Sequence, residues 1–148
     1  MVPAHPSTDP YNLQRFLESQ QEDYEDVCAE LRAGRKRTHW MWYIFPQIKG
    51  LGRSATADWF AISSLEEAQA YLQHPVLGPR LRECTQLANL IDGRSLHEIF
   101  GSPDDLKFRS SMTLFAQATA ENREFLDALR KYSAGEFDPA TLGLLKKP

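Results

Sequence analysis

The sequence predicts an all-α protein, a compact multihelical array in a single domain. Three observations carry this. Apolar residues recur at three- and four-residue steps along most of the chain, the spacing that lines one face of a helix. Helix starts are marked repeatedly, at Asp9-Pro10, Ser64 to Glu67, Ser95 to Glu98, Ser102-Pro103 and Asp138-Pro139. No period-2 run of strand length and no Asn-Gly hairpin occurs, which leaves Trp42 to Phe45 as the one strand candidate. The 148 residues suit one hydrophobic core. A 42% apolar and 25% charged composition is that of a soluble globular domain.

Taken in order, residues 1–8 contain two prolines and form a flexible N-terminal tail, and residues 9–148 form the single helical domain. Asp9 caps and Pro10 occupies the first helical position. Leu13, Phe16, Leu17, Tyr24, Val27, Cys28 and Leu31 then make one apolar stripe, with Gln20-Gln21 as a candidate break and Gly34 as the stop. Pro46 disfavours α geometry at Phe45, so any helix in the 38–47 stretch ends by then. A turn at Gly50 to Gly52 leads to a short helix from Ser54 to Phe60. Ser64 and Glu67 form a capping box for the next helix, which stops near His74-Pro75. A longer helix runs from about Pro75 to Ile91. Ser95 and Glu98 repeat the capping box for a single turn. Ser102 caps a helix with Pro103 at its first position and two carboxylates against the positive end of its dipole. That helix runs to about Ala118. Further helices cover Glu121 to Tyr132 and a last turn from Asp138-Pro139.

The net charge of −3 gives no general pull toward nucleic acid or an anionic membrane. No apolar run approaches the ~20 residues of a membrane span, and no signal peptide is expected at the start. Cys28 and Cys84 have no metal spacing and read as small buried groups in a reducing, cytoplasmic compartment. Zinc, serine-hydrolase, P-loop and dinucleotide-fold motifs are absent.

Chemistry concentrates in two stretches. The first, Thr38 to Gln47, packs His39, Trp40, Trp42, Phe45 and Gln47 behind the basic run Arg35-Lys36-Arg37. Histidine is the side chain whose unperturbed value lies near neutrality (~6.5), so His39 is a candidate acid, base or donor. Trp40, Trp42 and Phe45 can wall a pocket that stacks a planar ring, an interaction of roughly 1–3 kcal/mol per base. Trp40 and Trp42 share a face only if the backbone is extended; on a helix one is core and the other lines a surface. The second stretch is the helix after Pro103. Asp104, Lys107 and Ser111 share a face, with Ser110 beside them. The small polar stripe Ser110-Ser111-Thr113 suits a helix that lines a cavity. Asp104 or Asp105 can act as acid, base or charge stabiliser, and Lys107, helped by Arg37, can hold phosphate. Each residue also has a structural alternative: aromatic core, a dipole-complementing carboxylate pair, a solvated basic face.

The stretches DPYNLQRFLESQ, ELRAGRKRTHWMWYIFPQIKGLG, YLQHPVLGPRLREC and IFGSPDDLKFRSSMTLF resemble a bacterial family catalogued as domain of unknown function 1810. With their spacers they cover nearly all of the chain after Thr8. The resemblance implies a compact multihelical fold and no established activity. Some members carry a calpastatin label, which the absence of inhibitory repeats here does not support. A fainter likeness, of ingredients rather than of an aligned motif, is to N-glycosidases that act on NAD and ADP-ribose.

Two functions follow. One is a small-ligand enzyme of N-glycosidase or hydrolase type, acting on a nucleotide or ADP-ribose-like phosphoribosyl compound. Its pocket would lie between the His39–Gln47 stretch and the Pro103–Thr113 helix. His39 and Asp104 or Asp105 would be the catalytic groups. Arg37, Trp40, Trp42, Phe45, Gln47, Lys107, Ser110 and Ser111 would hold the ligand, with no metal or cofactor required. The other is a non-catalytic binding or interaction module using the same aromatic and basic patch. Nucleic acid is disfavoured as a partner, no membrane partner is expected, and the oligomeric state is open.

Overall fold

The structure, a computed structural model, describes residues 9–146. The tail expected over residues 1–8 lies outside them. Nine helices follow one another among the described residues: α1 (Gln14–Arg32), α2 (Met41–Ile44), α3 (Ala55–Trp59), α4 (Leu65–Gln73), α5 (Leu77–Asn89), α6 (Leu96–Phe100), α7 (Asp104–Ala118), α8 (Arg123–Ser133) and α9 (Pro139–Leu145). Helix α7 is the hub and packs against α8, α4, α6, α9 and α2. Helix α1 lies along α5, which also meets α4 and α8. The chain is all-α, a compact multihelical array. The only β pairing among the described residues is one parallel bridge between Ile48 and Ile62. The strand candidate at Trp42 to Phe45 is the short helix α2, and it ends before Pro46.

Each helix exists for a local reason. Helix α1 starts one turn later than Asp9-Pro10 predicts, because Asn12 sits at φ +53 and breaks the helical path. Asp9 still caps it, taking the amides of Leu13 (2.7 Å) and Gln14 (3.1 Å). The candidate break at Gln20-Gln21 does not occur. Gln20 is buried and its amide donates to the Tyr43 carbonyl (2.7 Å) and the Tyr71 hydroxyl (3.1 Å), so the polar residue holds α1 to the core. Helix α1 ends as Gly34 predicts. At φ +78 it donates to the Leu31 carbonyl while Arg35 donates to Glu30, the paired bonds of a Schellman stop.

The Ser95–Glu98 capping box is complete. The Ser64–Glu67 box is half made: Ser64 Oγ accepts the Glu67 amide (3.1 Å), but the Glu67 carboxylate turns away. It meets the buried guanidinium of Arg15 at 2.7 Å and accepts from the amide and hydroxyl of Ser63. A buried cation needs its counter-charge more than an exposed cap needs its second bond. At the start of α7, Pro103 is the cap residue rather than the first helical one, and Ser102 does not cap. Asp105 instead accepts the Leu106 amide (2.9 Å).

The core holds two groups of touching aromatic rings within one apolar cluster. Phe45, Phe100 and Phe108 meet with centroids 4.9–6.0 Å apart. Trp40 and Tyr132 extend the group at one end. Phe16, Phe60, Tyr43, Tyr71, Phe115 and Phe125 form the second group, drawn from α1, α2, α4, α7, α8 and the residue after α3.

Candidate functional site

The site is set up by Glu30, in the last turn of α1. Its carboxylate collects four donors from the returning chain: the amides of Arg37 (2.6 Å) and Thr38 (3.0 Å), the Thr38 hydroxyl (2.7 Å) and Trp40 Nε1 (2.9 Å). Burial pushes its pKa up, but these bonds favour the charged form more strongly and the net shift is downward. Residues 37–40 are thereby pinned against α1. Trp40 is then committed to the core, at 1% exposure beside Phe45 and Phe100. Helix α2 follows at once, and two residues along a helix is a turn of ~200°. Trp42 therefore points elsewhere, half-buried, into a cleft.

The cleft lies between α2, the Gly50–Gly52 turn, α3 and α7. Trp42, Gln47, Asp58 and Lys107 supply its polar lining, and Phe45, Ile48 and Phe60 its floor. Its cavity volume is only about 10 Å³, roughly one water. Lys107 accounts for part of that narrowness. Its ammonium sits 4.9 Å from the centre of the Trp42 ring. The Trp42 Nε1–H is buried and has no acceptor among the described residues.

Asp104 ties the two tryptophans together electrostatically. Its carboxylate is 2.9 Å from Lys36 Nζ and 3.7 Å from Lys107 Nζ. Lys36 in turn lies 5.3 Å from the Trp40 ring. One carboxylate thus bridges two ammonium groups, each stacked on its own indole.

The structure brings Trp42, Phe45, Gln47 and Lys107 to one cleft. The remaining proposed residues lie off its lining. Arg37 and His39 are exposed, and Trp40 is core. Asp104 is occupied by Lys36 and Lys107. Asp105 faces His97 Nδ1 at 3.5 Å. The Ser110 hydroxyl donates to the Asp138 carboxylate (2.8 Å), and Thr113 Oγ1 accepts the Asp138 amide (2.9 Å). The small polar stripe on α7 therefore grips the start of α9 instead of lining a cavity. Ser111 is fully buried, with no hydroxyl partner among the described residues.

Glu30 and Asp58 escape a sequence reading and look like ordinary surface charges, while Lys36 is legible only as part of the basic run Arg35-Lys36-Arg37. Only the abrupt run of donors after Gly34 hints that an acceptor must lie nearby. Among the described residues no three His, Cys, Asp or Glu side chains gather as a metal site, and no helix is long and apolar enough to cross a membrane.

No curated protein is similar to the chain. Among solved structures, it is similar to a conserved hypothetical protein from Mycobacterium tuberculosis known from a crystal structure. The two are 58% identical, the match covers 95% of this chain and 100% of the other, and the TM-score is 0.93. A family model described as a protein of unknown function (DUF1810) matches residues 10–145. That span takes in all nine helices and the cleft, and the chain belongs to the DUF1810 family.

Proposed function

We propose that the cleft binds a small ligand that joins an anionic group to a flat ring or sugar, as nucleotide-like and phosphoribosyl compounds do. The observation that carries this reading is the state of Trp42. Its indole N–H is buried without an acceptor beside an ammonium that covers the ring. An orphaned buried donor costs about 1–3 kcal/mol, which a ligand oxygen would relieve. Lys107 is held to Asp104 by a loose 3.7 Å contact, so its flexible stem can swing off the ring at small cost. In that position it meets the anion while the freed ring face stacks the planar part. With room for roughly one water while Lys107 covers the ring, the cleft takes one ring or one sugar phosphate only as the lysine moves aside, and not a whole dinucleotide.

Binding rather than turnover is the better supported reading, because His39, Asp104 and Asp105 do not line the cleft. Turnover of the hydrolase or N-glycosidase kind rests on a different group. Asp58 lines the cleft and could activate a water there.

A thermal-shift panel of nucleobases, nucleotides, phosphoribosyl compounds and ADP-ribose, with product analysis, tests both. A shift from one compound, lost in Lys107→Ala and Trp42→Ala, supports binding. A panel with no shift overturns it. A product that disappears in Asp58→Asn would establish the second reading.

A further inference from the structure

Helices α1 and α5 run side by side in the same direction, and their contacts step along a seam. Gln20 accepts from Arg80 (3.3 Å), and one turn on, the Tyr24 hydroxyl donates to Glu83, with the Arg80 guanidinium 4.7 Å over the Tyr24 ring. The next rung, which keeps the register of Tyr24 with Arg80 along the α1–α5 contact, pairs Cys28 with Cys84. Both are free and buried, at 5% and 0% exposure, so only Cys28 reaches the edge of the seam.

We propose that Cys28 and Cys84 are a redox modification site, a dithiol that peroxides convert reversibly to a disulfide tying α1 to α5. The division of labour follows from their surroundings. The neighbouring Cys84 lowers the Cys28 thiol to about 7 against the opposing effect of burial. The same pairing, with burial, pushes Cys84 up. Cys28 is the thiolate and the outer group, and Cys84 is the proton-bearing resolving partner. In the first step the Cys28 thiolate attacks a peroxide oxygen. An S–O bond forms, the O–O bond breaks, and the hydroxide that leaves becomes water with the proton Cys28 had released. In the second step Cys84 sulfur attacks the sulfenic sulfur. The S–S bond forms, the S–O bond breaks, and the departing hydroxide takes the Cys84 proton as a second water. Two thiols lose two electrons and the peroxide gains them. A thiol donor reverses the sequence by exchange.

The test uses the full chain, reduced, then treated with hydrogen peroxide under native conditions and digested without reductant. Mass spectrometry is expected to find the Cys28 and Cys84 peptides linked, the link vanishing with dithiothreitol, and the oxidised chain melting at a higher temperature. In Cys84→Ala, Cys28 is expected to stop at sulfenic acid and to be labelled by dimedone. In Cys28→Ala, Cys84 is expected to stay unlabelled. Absence of the linked peptide from the oxidised native chain overturns the proposal, whether both thiols stay reduced or Cys28 runs on to sulfinic acid. That map needs neither variant to fold.

Discussion

The Lys107 ammonium stands 4.9 Å from the centre of the Trp42 ring, while Lys36 stands 5.3 Å from Trp40. Asp104 lies between the two cations. The two indoles nevertheless differ in what they do. One is locked into the core by a charged acceptor, and the other lines a cleft and keeps a buried donor with no partner among the described residues.

That contrast predicts unequal costs. Trp40→Phe removes the bond to Glu30 and leaves a void in a fully packed site, and should cost about 3 kcal/mol or more. Trp42→Phe removes a donor that has no partner, so its loss of area is offset and the cost should stay below about 1 kcal/mol. Urea unfolding of both variants decides the matter. Equal losses would make Trp42 an ordinary core ring.

The Arg15–Glu67 pair should behave as a unit. Arg15 also donates to the carbonyls of Tyr11, Asn12, Trp59 and Ala61, and so joins α1 to the loop after α3. Both side chains are buried. Glu67→Ala leaves that cation unpaired and should cost about 3–5 kcal/mol. Arg15→Met combined with Glu67→Ala should cost clearly less than the two single changes added together, which a double-mutant cycle measures.

Acid sensitivity follows from Glu30 and Asp138. For each, burial raises the pKa, but the hydrogen bonds it accepts outweigh that and bring the net value down. A carboxyl depressed in the folded state contributes stability that is complete above its unfolded value, about 4.3 for Glu and 3.9 for Asp. The contribution is lost as pH falls through the lower folded value. The melting temperature should therefore hold from neutral pH to about pH 5 and then decline. Glu30→Gln and Asp138→Asn should be less stable at neutral pH and show a shallower acid decline. Parallel declines in wild type and both variants would mean that other carboxyls dominate.

Two glycines should respond in opposite directions. A Cβ on Gly78 would stand 2.1 Å from the Leu72 carbonyl oxygen, where α5 passes the end of α4. Gly78→Ala must separate backbone from backbone and should cost about 2 kcal/mol or more. Gly143 lies inside α9 with open space around its Cβ position, so Gly143→Ala should stabilise by about 0.5–1 kcal/mol. Thermal melts of the two variants are a direct comparison.

Periodicity, Gly34 and the Ser95 cap were readable in the sequence because they depend on neighbours a few residues away. So was the consequence of a helical Trp40–Trp42 stretch, with one ring inside and one at a surface. What could not be read was the choice of partner across space. Ser110 looks like a pocket hydroxyl until Asp138 arrives from 28 residues away. Glu67 looks like a capping carboxylate until Arg15 arrives from 52. Asp104 looks like a catalytic candidate until Lys36 supplies its counter-charge. In each case a buried or half-buried charge selected its strongest available complement, and sequence spacing does not say which one that is.

Helix α7 carries Lys107 while burying Phe108, Met112 and Phe115 and holding α9 through Ser110 and Thr113. Its backbone amides should be among the slowest in the molecule to exchange with heavy water. The wall bearing the cation should thus move little apart from the lysine stem itself. Any accommodation of an incoming molecule falls to the opposite bank, where Gly50 and Gly52 flank a short, solvent-facing turn.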